Sequence, residues 1–210
     1  MFITFEGIDG SGKSTCIKKL KEFIEKNCNK DNFVFTREPG GYNLKECEQI
    51  REILLNKENK LDNMSEMLLY LASRKIHVDR LIKPRLDEGR VVLSDRFFDS
   101  SFAYQGGGRK LGINFVEELN LKVLNNFMPN FTFYFKVDFN TAMNRMKLNN
   151  KNLDRLEIES KEFFEETIKA YDLLSKKYPN RYIIIDASKS EDDVFDLVLN
   201  KFKKIINFSC

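Results

Sequence analysis

The chain of 210 residues has a single histidine, four cysteines and four prolines, and its charge is almost balanced, with 35 basic against 32 acidic residues for a net +3. Each shortage excludes something. Because charges of both signs are interspersed, no extended face is committed to nucleic acid or to a membrane surface. No apolar run approaches bilayer-spanning length, and the opening MFITFEG lacks the charged-then-apolar layout of a signal peptide. A cytoplasmic protein with neither nucleic acid nor membrane as partner is therefore expected. Cys16, Cys28, Cys47 and Cys210 show no paired metal-ligand spacing, and four scattered thiols fit a reducing compartment better than a disulfide framework. His77 lies on a helical pattern with no partner motif, which fits a structural or exposed side chain rather than a catalytic base. There is no internal repeat and no sign of a second domain; 42% apolar content suffices for one core over residues 1–210.

What the chain does have is alternation. FITFE (2–6), FVFT (33–36), RVVLSD (90–95), FTFYFKV (131–137) and RYIIID (181–186) are short, apolar and rich in β-branched or aromatic residues, as strands of a buried parallel sheet should be. Segments with helical spacing separate them. Pro84 is expected to end or kink the long third helix near Lys83, Gly89 to stop the short helical stretch beyond it, and Ser190 with Asp193 to open the last helix as a capping box. The pattern predicts a doubly wound α/β domain with ligands beyond the carboxyl ends of the strands.

Gly7, Gly12, Lys13 and Ser14 satisfy G-x-x-x-x-G-K-[ST] between a predicted strand and a predicted helix, the context the phosphate-binding loop requires. Glycines bring backbone N–H groups close to phosphate, the helix start adds positive potential, Lys13 reaches the outer phosphates and Ser14 can hold Mg²⁺. A nucleoside triphosphate is the expected ligand. Asp95, ending the third strand, fits the position of a metal-linked carboxylate. NKLD (59–62) has the N-K-x-D spacing of a guanine-reading loop, but it falls between two helices early in the chain and no D-x-x-G follows a middle strand, so a solvated turn is expected there. Arg37 and Arg96 directly follow predicted strands, and Arg51 lies on the helix after the second. Such arginines suit a second phosphate group beside the loop, which favours a nucleotide acceptor over an alcohol. A nucleoside kinase, another monophosphate kinase and a non-catalytic nucleotide-binding module share the loop and stay open on these residues alone.

The motifs FEGIDGSGKST, FTREPGG, LLYLASR, SDRFFDSSFAYQGGGR and LDRLE, in this order, resemble those of the bacterial thymidylate kinases. The resemblance implies transfer of the γ-phosphoryl of ATP to dTMP with Mg²⁺, five parallel strands in the order 2-3-1-4-5, and a homodimer. It implies an ATP site at Gly7, Ile8, Asp9, Gly10, Ser11, Gly12, Lys13, Ser14 and Thr15, with Arg145 stacking on adenine. Tyr70 and Arg74, one helical turn apart, match the family's base-stacking ring and base-binding arginine. Ser101 and Gln105 match residues at the base, Tyr104 one lining the sugar, Asp9 and Glu38 acids of the acceptor site, and Arg96 a bridge between donor and acceptor phosphates. Lys13, Arg96, Asp9 and Arg155 are the expected catalytic residues, with Ser14 and Asp95 at the metal. Some relatives carry an arginine within the phosphate loop; Gly10 occupies that place here, which resembles the type that supplies charge from a lid. The matching lid is residues 144–157, with Arg145, Lys147, Lys151 and Arg155 as candidate cations.

Overall fold

The computed structural model describes residues 1–148 and 154–206. Five strands, β1 (Phe2–Glu6), β2 (Phe33–Arg37), β3 (Val91–Asp95), β4 (Phe131–Lys136) and β5 (Tyr182–Asp186), form one parallel sheet in the order β2-β3-β1-β4-β5. Strand order and boundaries agree with expectation to within a residue or so. β1 lies between two neighbours and under helices on both faces, so every one of its residues is buried and Phe2, Ile3 and Phe5 point apolar side chains to both faces. Its two polar members are both partnered: the Thr4 hydroxyl meets that of Thr132 at 2.9 Å, and Glu6 accepts from Ser100 and Tyr171. Phenylalanines fill the layers around it, with Phe5 stacked on Phe133 at 5.4 Å and Phe2 edge-on to Phe97 at 4.9 Å.

The helices are α1 (Lys13–Asn27), α2 (Lys45–Leu55), α3 (Asn63–His77), α4 (Lys83–Asp87), α5 (Phe98–Ser101), α6 (Ile113–Val123), α7 (Phe139–Leu148), α8 (Lys161–Lys177) and α9 (Glu191–Ile205). α1 buries Cys16, Leu20 and Ile24, four residues apart, along one stripe. Ser190 caps α9 by accepting the Asp193 N–H, as its sequence signature requires. Asp62, the last residue of NKLD, accepts the N–H groups of Met64 and Ser65 and so serves as the N-cap of α3 rather than as a base reader. Gly89 stops the segment after α4 at φ 78°, donating its N–H to the Leu86 carbonyl at 2.9 Å.

Two helical stretches carry π-turns, the first of them ending where Pro84 was expected to end or kink the helix, near Lys83. The helix containing Pro84 widens into a π-turn over Val78–Ile82, and α4 then opens with the proline in its first turn, where the missing N–H costs nothing. The stretch around AYQGGG is also helical: α5 continues through a π-turn over Phe102–Gly108 packed against α8. Its glycines permit close approach rather than phosphate binding, since a Cβ on Gly107 would lie 2.7 Å from that of Ala170 and one on Gly108 2.6 Å from the Phe163 ring. Of the cysteines, Cys16 and Cys47 are free and buried, as the expectation of reduced thiols requires of them. Cys210, Lys151 and the remainder of lid residues 149–153 lie outside the described residues.

Candidate active site

Three strand ends deliver the site. After β1, the chain turns through Gly7, Gly10 and Gly12 at φ 139°, 77° and 88°, and α1 begins with no side-chain cap, leaving its first N–H groups directed at whatever binds there. Gly10 is the tightest point: a Cβ would run into the backbone carbonyl of Ala142 on α7, with the carbonyl carbon 2.9 Å away. The absence of an arginine at this position thus has a steric reason in this chain. Lys13 is buried and donates to the carbonyls of Gly7 and Ile8, each at 2.9 Å, and to Ser11 Oγ at 3.3 Å. Burial, and then repulsion from Arg96, pull its ammonium down to about 8, against the attraction of Asp9, Asp95 and Glu6. An arriving phosphate would raise it again by favouring the charged form.

After β3, Arg96 adopts φ 71°, a left-handed conformation unusual for a side chain of this size. Its guanidinium donates to the Gly7 carbonyl at 2.8 Å, Asp9 Oδ1 at 2.7 Å and Ser100 Oγ at 3.1 Å, and lies over the Tyr104 ring. The Tyr104 hydroxyl donates to Asp9 Oδ2 at 2.9 Å. Burial alone would raise the Asp9 carboxyl; Arg96, Lys13 and Tyr104 together hold it well below the usual range. Ser14 Oγ donates to Asp95 Oδ2 at 3.1 Å. A hydroxyl and a carboxylate fit Mg²⁺, which binds through few protein oxygens and fills its remaining positions with phosphate oxygens and water. No cluster of three or more metal-ligating side chains exists among the described residues, so such an ion would be shared with the nucleotide.

Two cavities meet on this loop. The first, about 170 Å³, is lined by every residue expected at the acceptor: Asp9, Arg37, Glu38, Arg51, Tyr70, Arg74, Arg96, Ser101, Tyr104 and Gln105. Arg51 donates to the Pro39 carbonyl at 2.7 Å, and burial followed by the neighbouring Arg37 charge lowers its guanidinium, as two cations facing one space should. Arg37 pairs with Glu48 at 2.6 Å. Ser101 Oγ and Arg37 Nε are buried with no hydrogen-bond partner among the described residues, a demand a ligand would meet. Arg74 is anchored on three sides, by Glu38 at 2.7 Å, Asn120 at 2.7 Å and the Phe97 carbonyl at 3.3 Å. His77 holds the other oxygen of Glu38 from Nδ1 at 3.0 Å while its Nε2 meets the Thr36 hydroxyl at 2.7 Å. It is structural, and buried rather than exposed.

The second cavity, about 500 Å³, is lined by Asp9 through Thr15 and by Arg145, with Lys189, Ser190, Glu191 and Val194 as its far wall. Gly7 and Ile8 do not line it; their carbonyls hold Lys13 instead. Arg145 is fixed to the carbonyls of Ala187, Ser188 and Lys189 at 2.7, 3.4 and 3.1 Å, flat against that wall. The segment expected as a lid begins inside α7, where Arg145 and the exposed Lys147 are helical. Arg155 lines neither cavity: it donates to the Leu54 carbonyl at 2.9 Å and pairs with Glu66 at 2.7 Å.

Sequence reasoning missed two buried acids. Glu6 accepts the Phe97 N–H at 2.7 Å, Ser100 Oγ at 2.6 Å and the Tyr171 hydroxyl at 2.9 Å, tying β1 to the Arg96 loop and to α8. Burial, and then the Asp99 charge, push its carboxyl up to about 7. Its signal was a lone acid ending an apolar strand. Glu66 precedes Tyr70 and Arg74 by one and two helical turns, a spacing that places it on their face of α3.

A parallel sheet of this order, carrying a phosphate loop whose Asp9, Lys13 and Ser14 face both a nucleotide-sized cavity and a second, arginine-lined one, defines a phosphate-loop kinase of small phosphorylated acceptors. The family model described as thymidylate kinase matches residues 5–198. Thymidylate kinases of Mycoplasma mobile and Mesoplasma florum are 46% and 44% identical, each alignment covering 98% of this chain and 99% and 94% of the relative. The crystal structure of thymidylate kinase from Ehrlichia chaffeensis superposes with a TM-score of 0.77 at 35% identity, covering 97% of this chain and 98% of that one. The chain belongs to the thymidylate kinase family.

Proposed function

We propose that the protein transfers the γ-phosphoryl group of ATP to dTMP, yielding ADP and dTDP in the route to dTTP. The observation that carries this reading is the meeting of the two cavities at Asp9, Lys13 and Ser14, which brings a donor γ-phosphate and an acceptor phosphate to one point. ATP lies along the larger cavity, its phosphates wrapped by residues 9–15 and its adenine against Arg145, while Gly7 and Ile8 shape the loop behind them. dTMP lies in the smaller, with thymine between Tyr70 and the polar edge of Arg74, Ser101 and Gln105, the sugar beside Tyr104 and Asp9, and the phosphate against Arg37 and Arg51. Glu38 holds Arg74 in place. Mg²⁺, bound by Ser14 and Asp95 together with the nucleotide, supplies charge neutralisation of the triphosphate.

Phosphoryl transfer asks little covalent chemistry of the protein and much positioning. Lys13 exchanges the loop carbonyls for phosphate oxygens, and Arg96, already directed into the junction, bridges donor and acceptor. Arg155 adds lid charge on leaving Glu66. A single domain, a cytoplasmic location and a homodimer belong to the same proposal through the family resemblance; no described helix is long and apolar enough to cross a membrane. ADP release measured across nucleosides and nucleoside monophosphates tests the reading: dTMP should be the preferred acceptor, and faster turnover of thymidine would overturn it. Lys13→Ala should abolish turnover with the fold retained.

A further inference from the structure

We propose that Glu66 sets the base specificity of the acceptor cavity by fixing which way the Gln105 amide faces. The proposal rests on the dTMP reading of that cavity. Glu66 is fully buried on α3 beneath Tyr70 and does not itself line the cavity. Its Oε1 accepts Gln105 Nε2 at 2.8 Å and Arg109 Nε at 3.3 Å; its Oε2 faces Arg109 Nη2 at 3.1 Å and Arg155 Nη2 at 2.7 Å. A carboxylate flanked by two guanidinium groups offers only lone pairs. The Gln105 amide therefore cannot turn its oxygen toward Glu66, because two acceptors would then oppose each other at hydrogen-bond distance in a buried place. The ambiguity that usually attends amide orientation is removed here by the neighbour.

The consequence falls on the cavity side. With an Nε2 hydrogen held by Glu66 at 2.8 Å, Gln105 Oε1, the side chain's one acceptor, is turned away from Glu66 and left to meet a ligand. Arg74, on the same wall, contributes donors alone. An acceptor beside a donor matches the imide edge of a dioxopyrimidine, whose N3–H lies next to a carbonyl. Cytosine presents an unprotonated N3 and an amino group, the reverse pattern, so its N3 lone pair would face the Gln105 oxygen. Thymine and uracil satisfy the edge equally, so this device excludes cytosine and leaves the methyl group to packing.

The test uses dUMP and dCMP, which differ only at that edge, alongside dTMP. In Glu66→Gln the oxygen of the new amide stays with Arg109 and Arg155, which need an acceptor, and its NH₂ group points at Gln105. Gln105 must then turn its own oxygen inward and its NH₂ toward the ligand. The wild type should favour dUMP over dCMP in kcat/KM by at least about tenfold, and Glu66→Gln should narrow that ratio by at least about tenfold. Arg109→Lys, which disturbs the same network without changing what Glu66 offers Gln105, should lower the melting temperature and leave the ratio alone. A folded Glu66→Gln enzyme that loses activity on all three acceptors in proportion would overturn the proposal. Should that variant fail to fold, the wild type decides: phosphorylation of dTMP with equal binding of dUMP and dCMP would overturn the Gln105 orientation, whereas no activity on dTMP would overturn the functional reading instead.

Discussion

Replacing His77 tests whether the acceptor cavity is held from behind. His77 makes two contacts, to the Glu38 carboxylate at 3.0 Å and to the Thr36 hydroxyl at 2.7 Å, and its ring packs against Gly41, where a Cβ would come within 2.9 Å of Cδ2. His77→Leu removes both polar contacts at similar bulk. A bond to a charged partner contributes about 1.5–3 kcal/mol and one between neutral groups about 0.5–1.5 kcal/mol, so the loss is about 3 kcal/mol. For a chain of this size that corresponds to a melting temperature lower by about 6–12 °C. Glu38 is also one of three anchors of Arg74, so KM for dTMP should rise while KM for ATP does not. Two conservative variants separate the contacts: the Asn side chain places an NH₂ near the original Nδ1 and should keep the Glu38 bond, whereas Gln reaches toward Thr36 and should lose it. Thermal melts with steady-state kinetics would read all three. A leucine variant that melts at the wild-type temperature, or a glutamine variant with a better KM for dTMP than the asparagine one, would refute the reasoning.

Three further outcomes are expected. Because burial keeps Glu6 protonated to about 7 in the folded chain, while the unfolded chain releases that proton in the ordinary carboxyl range, its contribution to stability should decline as pH rises from about 4.5 to about 7. Glu6→Gln removes this titration, so its stability relative to wild type should grow with pH across that window in melts at matched ionic strength; parallel profiles would count against it. Gly10→Ala combines a left-handed backbone cost of about 1–3 kcal/mol with a collision against Ala142, and should raise KM for ATP more than KM for dTMP. Arg155→Ala should lower kcat at least about tenfold, roughly 1.4 kcal/mol of barrier, with little change in ATP affinity; unchanged single-turnover rates with a lower melting temperature would make Arg155 an anchor for Glu66 alone.

How much of this was legible depended on whether the signal was local. The phosphate loop, the strands and the cap at Ser190 are encoded within a few residues, and each lies where its pattern puts it. Tyr70 and Arg74 are expected at the acceptor through the family resemblance, with which their one-turn spacing is consistent, and Glu66 shares that spacing but carries no motif of its own. The helical course of FDSSFAYQGGG has no local signal, since glycines are poor helix formers; only the nearness of Ala170 and Phe163 on α8 shows why side chains are excluded at Gly107 and Gly108. Asn120 and Tyr171 reach the site from α6 and α8, which no spacing connects to it, and His77, a turn beyond Arg74 on α3, has no motif to mark its partner. Their roles depend on tertiary neighbours, Arg74, Glu6 and Glu38 respectively, which a one-dimensional pattern does not contain.

The place of β1 between β3 and β4 also orders events during synthesis. The ribosome delivers residues 7–15 ahead of both partners of β1, so the strand that carries the phosphate loop has no lasting neighbour until residues 91–95 and 131–136 have emerged. At about 5–20 residues per second, that leaves an apolar central strand waiting on the order of ten seconds with both edges open to other chains. The wall at Lys189–Val194 arrives later still, so a nascent chain carries the loop that grips a triphosphate well before it has anywhere to put the base. A nucleotide that needs both walls of this cavity would bind only once the Lys189–Val194 wall has been made, and so would favour the folded molecule over its partly made forms.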